Sequence, residues 1–317
     1  MHALRTILVA TGLSLLLASS AAAAPIGTLK QYKTPSARSA PRAIDNGSDG
    51  NLWFTEGTET GVPQVARITP SGAVTEFGAA CSFCSLADIV QGPGGVLYFT
   101  SNDPQLLRIT TAGQYLPPVP MPTSLANSGA LAVHGGDVWI ATFNDDSLYR
   151  YDTASGQFTQ FHVPEPGGVA VDGAGRVWFS GNNDNAIHEL DPATGGVSTI
   201  PVPSGSTPRA MAISTDGGIW FTEPFSGDVG RLDPATGTIA EFPDPGSGPV
   251  DIAPAAAGAM WFSENTFGSV ARVTPDGTIV HSKAVKGSQP FGIVVAPGGD
   301  PWFAEFGAAR IGDLQLR

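Results

Sequence analysis

The chain is predicted to be all-β, a seven-bladed β-propeller of four-stranded antiparallel blades closed by an N-terminal strand. Three observations carry that expectation. All six tryptophans, Trp53, Trp139, Trp178, Trp220, Trp261 and Trp302, fall in one motif, and Tyr98 of LYFTS fills the one gap. Successive members lie 45, 41, 39, 42, 41 and 41 residues apart, the period of a four-stranded blade. Within one period, such as Thr207–Phe242, four short runs rich in Ile, Val, Phe, Trp and Thr alternate with turns of Gly, Pro, Asp and Ser. The 40 glycines and 27 prolines follow no collagen repeat, as many tight turns between short strands require.

The landmarks recur in chain order. Thr28–Tyr32 (TLKQY) reads as a strand ahead of the first repeat, and first strands enter near Pro41, Leu86, Ser128, Pro166, Pro208, Pro249 and Pro290. Second strands carry LWFTE, LYFTS, VWIAT, VWFSG, IWFTE, MWFSE and PWFAE. Third strands follow as ARI, LRI, YRY, HEL, GRL, ARV and ARI, and clear fourth strands end at Phe77, Phe161, Ile200 and Phe242. The seventh repeat has no fourth run after Arg310-Ile311-Gly312. Thr28–Tyr32 is therefore expected beside its third strand, because an open ring would leave long unpaired sheet edges. A large ring at one point of each second strand suits the wedge between blades, where truncation to Ala costs ~3–5 kcal/mol. Packing, rather than a ligand platform, is the expected role of the tryptophans.

A formal net charge of −12 with 14% charged residues offers no basic surface for a phosphate backbone, so nucleic acid is not an expected partner. Residues 1–23 read as a signal peptide: Arg5 precedes the apolar run Ile7–Ala18, and small residues suit cleavage after Ala23. Loss of Arg5 would bring the charge to −13. That run is too short to span a membrane, and no other approaches the ~20 apolar residues a span needs. Residues 24–317 are expected to form the propeller, a periplasmic or secreted monomer. The two cysteines, Cys81 and Cys84, are expected to form a local disulfide in such a compartment.

An entry proline, a DGG-type turn, LWFTE at Leu52–Glu56 and ARITPSGAVTEF at Ala66–Phe77 together form a pattern that recurs in Thr207–Phe242. This pattern resembles the virginiamycin B lyase (streptogramin lyase) family over essentially all of Ile26 to Leu314. The resemblance implies a seven-bladed propeller and a magnesium-dependent elimination that opens a cyclic depsipeptide at an ester. It also implies histidines just after the entry prolines of the last two blades, one of them in a Glu-Pro-His-Gly sequence. Here Val250 and Phe291 occupy the histidine positions and Gln289 that of the glutamate. An elimination needs a base and a Lewis acid for the developing charge, and these three side chains supply neither. The expected function is thus non-catalytic binding of a small molecule or protein at the channel-mouth face. The alternatives are a divergent metal-dependent lyase, or a lactonase-type hydrolase of a cyclic ester, and a structural role in the cell envelope.

First-strand entries and the loops after second strands share one propeller face, so functional side chains are sought there. Arg42 and Arg209 follow entry prolines and are candidates for gripping a carboxylate or phosphate. Asp251 and Phe291 occupy matching places in blades 6 and 7, and Asp88 does so in blade 2. Glu56, Glu223, Glu264 and Glu305 end the second strands of consecutive blades, a candidate acidic arc for Mg2+ or Ca2+. The competing expectation pairs each with an arginine of the next strand, Arg67, Arg231, Arg272 or Arg310. None of the five histidines falls at the channel mouth, and surface or packing roles are expected for His134, His162, His188 and His281. Asn102-Asp103, Asn144-Asp145-Asp146 and Asn182-Asn183-Asp184-Asn185 lack a calcium-loop spacing and read as turns.

Overall fold

The computed structural model describes residues 24–57, 63–78, 81, 84–124 and 128–316; the segment read as a signal peptide lies outside them. The four runs of each period become one four-stranded antiparallel sheet, and there are seven such sheets. Blade 1 comprises Pro41–Asn46, Leu52–Glu56, Gln64–Ile68 and Val74–Phe77, and blade 2 Leu86–Gln91, Val96–Ser101, Gln105–Thr110 and Tyr115–Pro120. Blade 3 comprises Ser128–His134, Asp137–Thr142, Ser147–Asp152 and Gln157–His162, and blade 4 Pro166–Val171, Val177–Gly181, Ala186–Leu190 and Val197–Pro201. Blade 5 comprises Met211–Ile213, Ile219–Glu223, Asp228–Asp233 and Thr238–Pro243, and blade 6 Pro249–Pro254, Met260–Glu264, Ser269–Val273 and Ile279–His281. Blade 7 takes three strands from the end of the chain, Pro290–Val295, Pro301–Glu305 and Arg310–Gln315. Its fourth is Thr28–Lys33, which runs antiparallel to the last of these from Thr28↔Gln315 to Lys33↔Arg310. No helix among the described residues is long and apolar enough to cross a membrane.

The tryptophan period is a packing period. Each ring is at most 4% exposed and lies in a cluster with the following blade. Trp53 packs with Leu86, Leu97 and Phe99 of blade 2, and Trp220 with Ile252, Met260 and Phe262 of blade 6. Trp302 of blade 7 completes the circuit against Ile44, Leu52 and Phe54 of blade 1. Successive side chains of a strand point to opposite faces, so Leu29 and Tyr32 serve different wedges. Leu29 joins the cluster of Trp261 and Leu314, while Tyr32 stacks on Trp302 with ring centroids 5.5 Å apart.

The entry strands carry the feature that shapes the site. Their register slips just after the entry residue in blades 1, 2, 3, 4, 6 and 7, between Pro41 and Ile44 in the first and Pro290 and Ile293 in the last. Such a bulge leaves two residues without ladder partners and turns them out of the sheet. In blade 5 the regular strand begins at Met211, later than the expected entry at Pro208. Arg209 and Ala210 still bond across to Thr222, at 2.8 and 3.0 Å, but outside the regular ladder.

Candidate functional site

The bulged backbone is held by the Thr or Ser that follows the paired aromatic residues of the second strand. In blade 6 the Ser263 hydroxyl accepts the Asp251 N–H at 3.1 Å and donates to the Phe291 carbonyl of blade 7 at 2.5 Å. Ser180 likewise accepts from Gly168 at 2.7 Å and donates to the Arg209 carbonyl at 2.8 Å. Thr55, Thr100 and Thr222 make the same bridge. Blades 3 and 7 have Ala141 and Ala304 at this point. The repeated hydroxyl therefore satisfies a bulge amide and ties each entry to the next. Its recurrence after a buried aromatic pair is the signal in the sequence that marks it.

Two glycines let the arginine-bearing backbones come close. A Cβ at Gly292 would lie 2.6 Å from the Arg42 carbonyl oxygen, and one at Gly168 only 2.1 Å from that of Arg209. No side chain fits at such distances, so both positions need Gly.

These entries surround a cavity of about 700 Å3 whose walls include Arg42, Asp88, Arg209, Val250, Asp251 and Phe291. Phe225 and Phe143, which are 83% and 40% exposed, stand at its edge. Arg42 lies over the Phe291 ring at 5.1 Å. Burial pushes the Arg42 guanidinium below its ordinary range, and the positive charge of Arg209 adds to that, partly offset by Asp88. Neither arginine has an ion pair or a side-chain hydrogen bond among the described residues.

Asp88 and Asp251 of the cavity, and Asp45 outside its lining, are committed elsewhere. Asp251 accepts the N–H of Ile252 and, across the blade boundary, that of Ile293, both at 2.9 Å. Asp88 takes Ile89 at 2.8 Å and Leu131 of blade 3 at 2.7 Å. Asp45 takes Asn46 at 2.8 Å and Gln91 of blade 2 at 2.7 Å. All three are latches between neighbouring first strands. Burial first, and then their mutual repulsion, push them up: Asp88 to about 7, Asp45 and Asp251 to about 6, with the repulsion acting on Asp88 and Asp251. A magnesium ion does not fit here. A hard cation wants several free oxygens, and both oxygens of each carboxylate already accept backbone amides beside two arginines.

The model of the virginiamycin B lyase family matches residues 22–150 and 122–317. The chain belongs to that family. A streptogramin B lyase structure shares 25% identity at a TM-score of 0.84, over 92% of this chain and 98% of that one. Virginiamycin B lyase from Staphylococcus aureus shares 23% at a TM-score of 0.82, over 92% and 99%. A catalytically inactive histidine-to-alanine form of the S. aureus enzyme, solved with quinupristin, shares 24% at 0.82, again over 92% and 99%. Comparison with curated proteins gives no significant match.

Several expectations for this family member need correcting. The acidic arc does not assemble: Glu56, Glu223, Glu264 and Glu305 are all fully buried, each among separate partners and away from the cavity. Glu56 accepts from Gln64 at 2.9 Å, Glu223 from Ser204 at 2.8 Å, Glu264 from Ser269 at 2.7 Å and Glu305 from Gln31 at 2.7 Å. Burial pushes the first three up to about 7, and raises Glu305 as well.

The next-strand arginines do not pair with them, except that Arg310 stands directly opposite Glu305. Arg67, Arg231 and Arg272 stand opposite Trp53, Trp220 and Trp261, three places from each Glu and so on the other face of the strand. Arg67 and Arg231 lie over those rings and reach Asp49 and Asp216, at 3.6 and 3.2 Å.

His281 is half-exposed, and its Nδ1 lies 3.0 Å from Glu264. His188 is buried against Phe179, with Nε2 3.0 Å from Asp184. Gln289 is exposed, in a left-handed conformation with φ 46°. Cys81 and Cys84 are joined in a disulfide. Of the loop residues, Asn102, Asn182 and Asn183 line the cavity, Asn102 accepts the Ser85 N–H at 2.6 Å, and Asp145 accepts the Tyr149 hydroxyl at 2.7 Å.

Proposed function

We propose that this family member binds an anionic small molecule bearing an aromatic group at its channel mouth, and that it does not catalyse the lyase elimination. The observation that carries this reading is the pair Arg42 and Arg209. Two guanidinium groups share one cavity with no ion pair or side-chain hydrogen bond of their own among the described residues, and an anion between them would relieve the repulsion that Asp88 offsets only in part. Guanidinium forks match carboxylate and phosphate oxygens. Phe291, Phe225 and Phe143 supply flat apolar surface around them.

The same wall supports the loss of elimination. Val250 and Phe291 hold the places where the family resemblance puts histidines, and the S. aureus enzyme described as catalytically inactive lacks a histidine. Export belongs to this reading too. An apolar leader and the Cys81–Cys84 disulfide both suit an oxidising compartment.

The test uses an aryl carboxylate and an aryl phosphate as probes in calorimetry, beside the uncharged aryl alcohol. The anions are expected to bind and the alcohol is not. Arg42→Ala or Arg209→Ala removes a charge-assisted contact worth about 1.5–3 kcal/mol, so each should weaken binding roughly 10- to 100-fold. Equal binding of the alcohol, or unchanged affinity in both variants, would sink the proposal. Incubation with quinupristin, followed by chromatography, is expected to leave the ring closed; an opened product refutes the non-catalytic part alone.

A further inference from the structure

A second set of side chains lies outside the cavity, where the outer strand of blade 5 ends against blade 6. Asp244 directly follows that strand, Glu264 ends the second strand of blade 6, and His281 ends its fourth. His281 places Nδ1 3.0 Å from Glu264 Oε1 and Nε2 3.9 Å from Asp244 Oδ1. One donor atom from each residue lies within 4.8 Å of the other two.

The surroundings favour an ion. Glu264 is wholly buried, and the Asp244 side chain is only 12% exposed, with its carboxylate within hydrogen-bond reach of Glu264. Asp244 Oδ2 is buried with no hydrogen-bond partner. Two shielded carboxylates and one imidazole converge here with their donor atoms close together, a donor set that suits a divalent transition-metal ion. Ser269 donates to Glu264 Oε2 at 2.7 Å and so orients it, as outer partners do around metal ligands. His281 is 42% exposed, which leaves one side open for entry and for a water ligand.

We propose that Asp244, Glu264 and His281 form a site for a zinc-like transition-metal ion that clamps blade 5 to blade 6. Donors about 2.0–2.2 Å from zinc stand at most about 4 Å apart, so a small inward rotation of the half-exposed imidazole closes the set. One nitrogen and two oxygens suit Zn2+ better than Mg2+ or Ca2+, which prefer oxygen alone. The site is independent of the arginine cavity, and neither reading needs the other.

The experiment titrates Zn2+ alone into the chelator-treated full chain, with calorimetry and thermal melting as readouts and Co2+ as a spectroscopic substitute. One Zn2+ per chain, at least about 100-fold tighter than Mg2+, and a raised melting temperature are expected. His281→Ala and Asp244→Asn should each weaken Zn2+ by at least about 10-fold, whereas His162→Ala should not. Because His281 is half-exposed, its alanine variant is expected to fold and carries the test even if Asp244→Asn does not. Failure of the parent to bind Zn2+ stoichiometrically, or undiminished binding in His281→Ala, would overturn the assignment.

Discussion

Deletion of Thr28–Lys33 is expected to lower the melting temperature by at least ~10 °C, or to prevent folding, where trimming an ordinary terminus would do little. The strand makes six register pairs with Arg310–Gln315, and without it that strand becomes a long open edge. Leu29 and Tyr32 leave two different wedges, at roughly 1.5–3 kcal/mol for each large apolar side chain re-exposed. A third loss is electrostatic. Gln31 Nε2 donates to both Glu305 oxygens at 2.7 Å, and Glu305 is fully buried. Arg310 reaches Gln31 Oε1 at 3.2 Å and would lose that partner too. At about 2–4 °C per kcal/mol for a chain of this order, the sum is a change of tens of degrees at most and ~10 °C at least. Circular dichroism melts of the deletion and of Tyr32→Ala provide the check. A deletion that melts within a few degrees of the parent would refute the closing role.

Stability is expected to be highest near pH 4 and to fall as the pH rises to about 7, the reverse of ordinary acid denaturation. Five buried carboxyls carry the effect: Asp45 and Asp251, raised from 3.8 to about 6, Asp88, raised from 3.8 to about 7, and Glu56 and Glu223, raised from 4.5 to about 7. Burial is the largest cause in each case. Between about pH 4 and pH 7 the folded protein therefore holds protons that the unfolded chain has released. Folding takes up protons in that window, so stability drops with rising pH. A tenfold difference in proton affinity between folded and unfolded chain is worth about 1.4 kcal/mol, which makes the effect on the order of a few kcal/mol for each carboxyl.

Glu56→Gln mimics the protonated side chain. It should leave the melting temperature near pH 5 unchanged and raise it at pH 8. A melting temperature that climbs steadily from pH 5 to pH 8 would contradict this account. Such behaviour also bears on the channel mouth, because the Asp45 and Asp251 latches tie the entry strands that carry Arg42 and Phe291 to their neighbours.

The repeat made much of the architecture legible. Apolar runs and turn residues are local, and the 39- to 45-residue spacing of one bulky ring marks equivalent points of each blade. That is why the entry points, the second strands and the packing role of the tryptophans were readable without coordinates. The late start of the blade 5 strand at Met211 was not. It depends on how Arg209 and Ala210 bond to Thr222, which neither composition nor spacing encodes.

By itself the sequence determined seven four-stranded units and which positions line their entries, including Arg42, Arg209, Val250 and Phe291. Strand alternation and turn chemistry act over a few residues, and repetition multiplies the signal. Only the tertiary structure decided the partners of those residues. Glu264 meets Asp244 and His281, Asp251 is spent on the amide of Ile293, and Arg42 and Arg209 face one cavity without an ion pair among the described residues. Contacts such as Asp251 with Ile293 and Glu264 with Asp244 cross from one blade to the next, and a side chain's partner across such a boundary depends on bulge and register. A slip of one residue exchanges one face of a strand for the other. The physical reason is that charge and hydrogen bonding act through space, over distances that spacing along the chain does not encode.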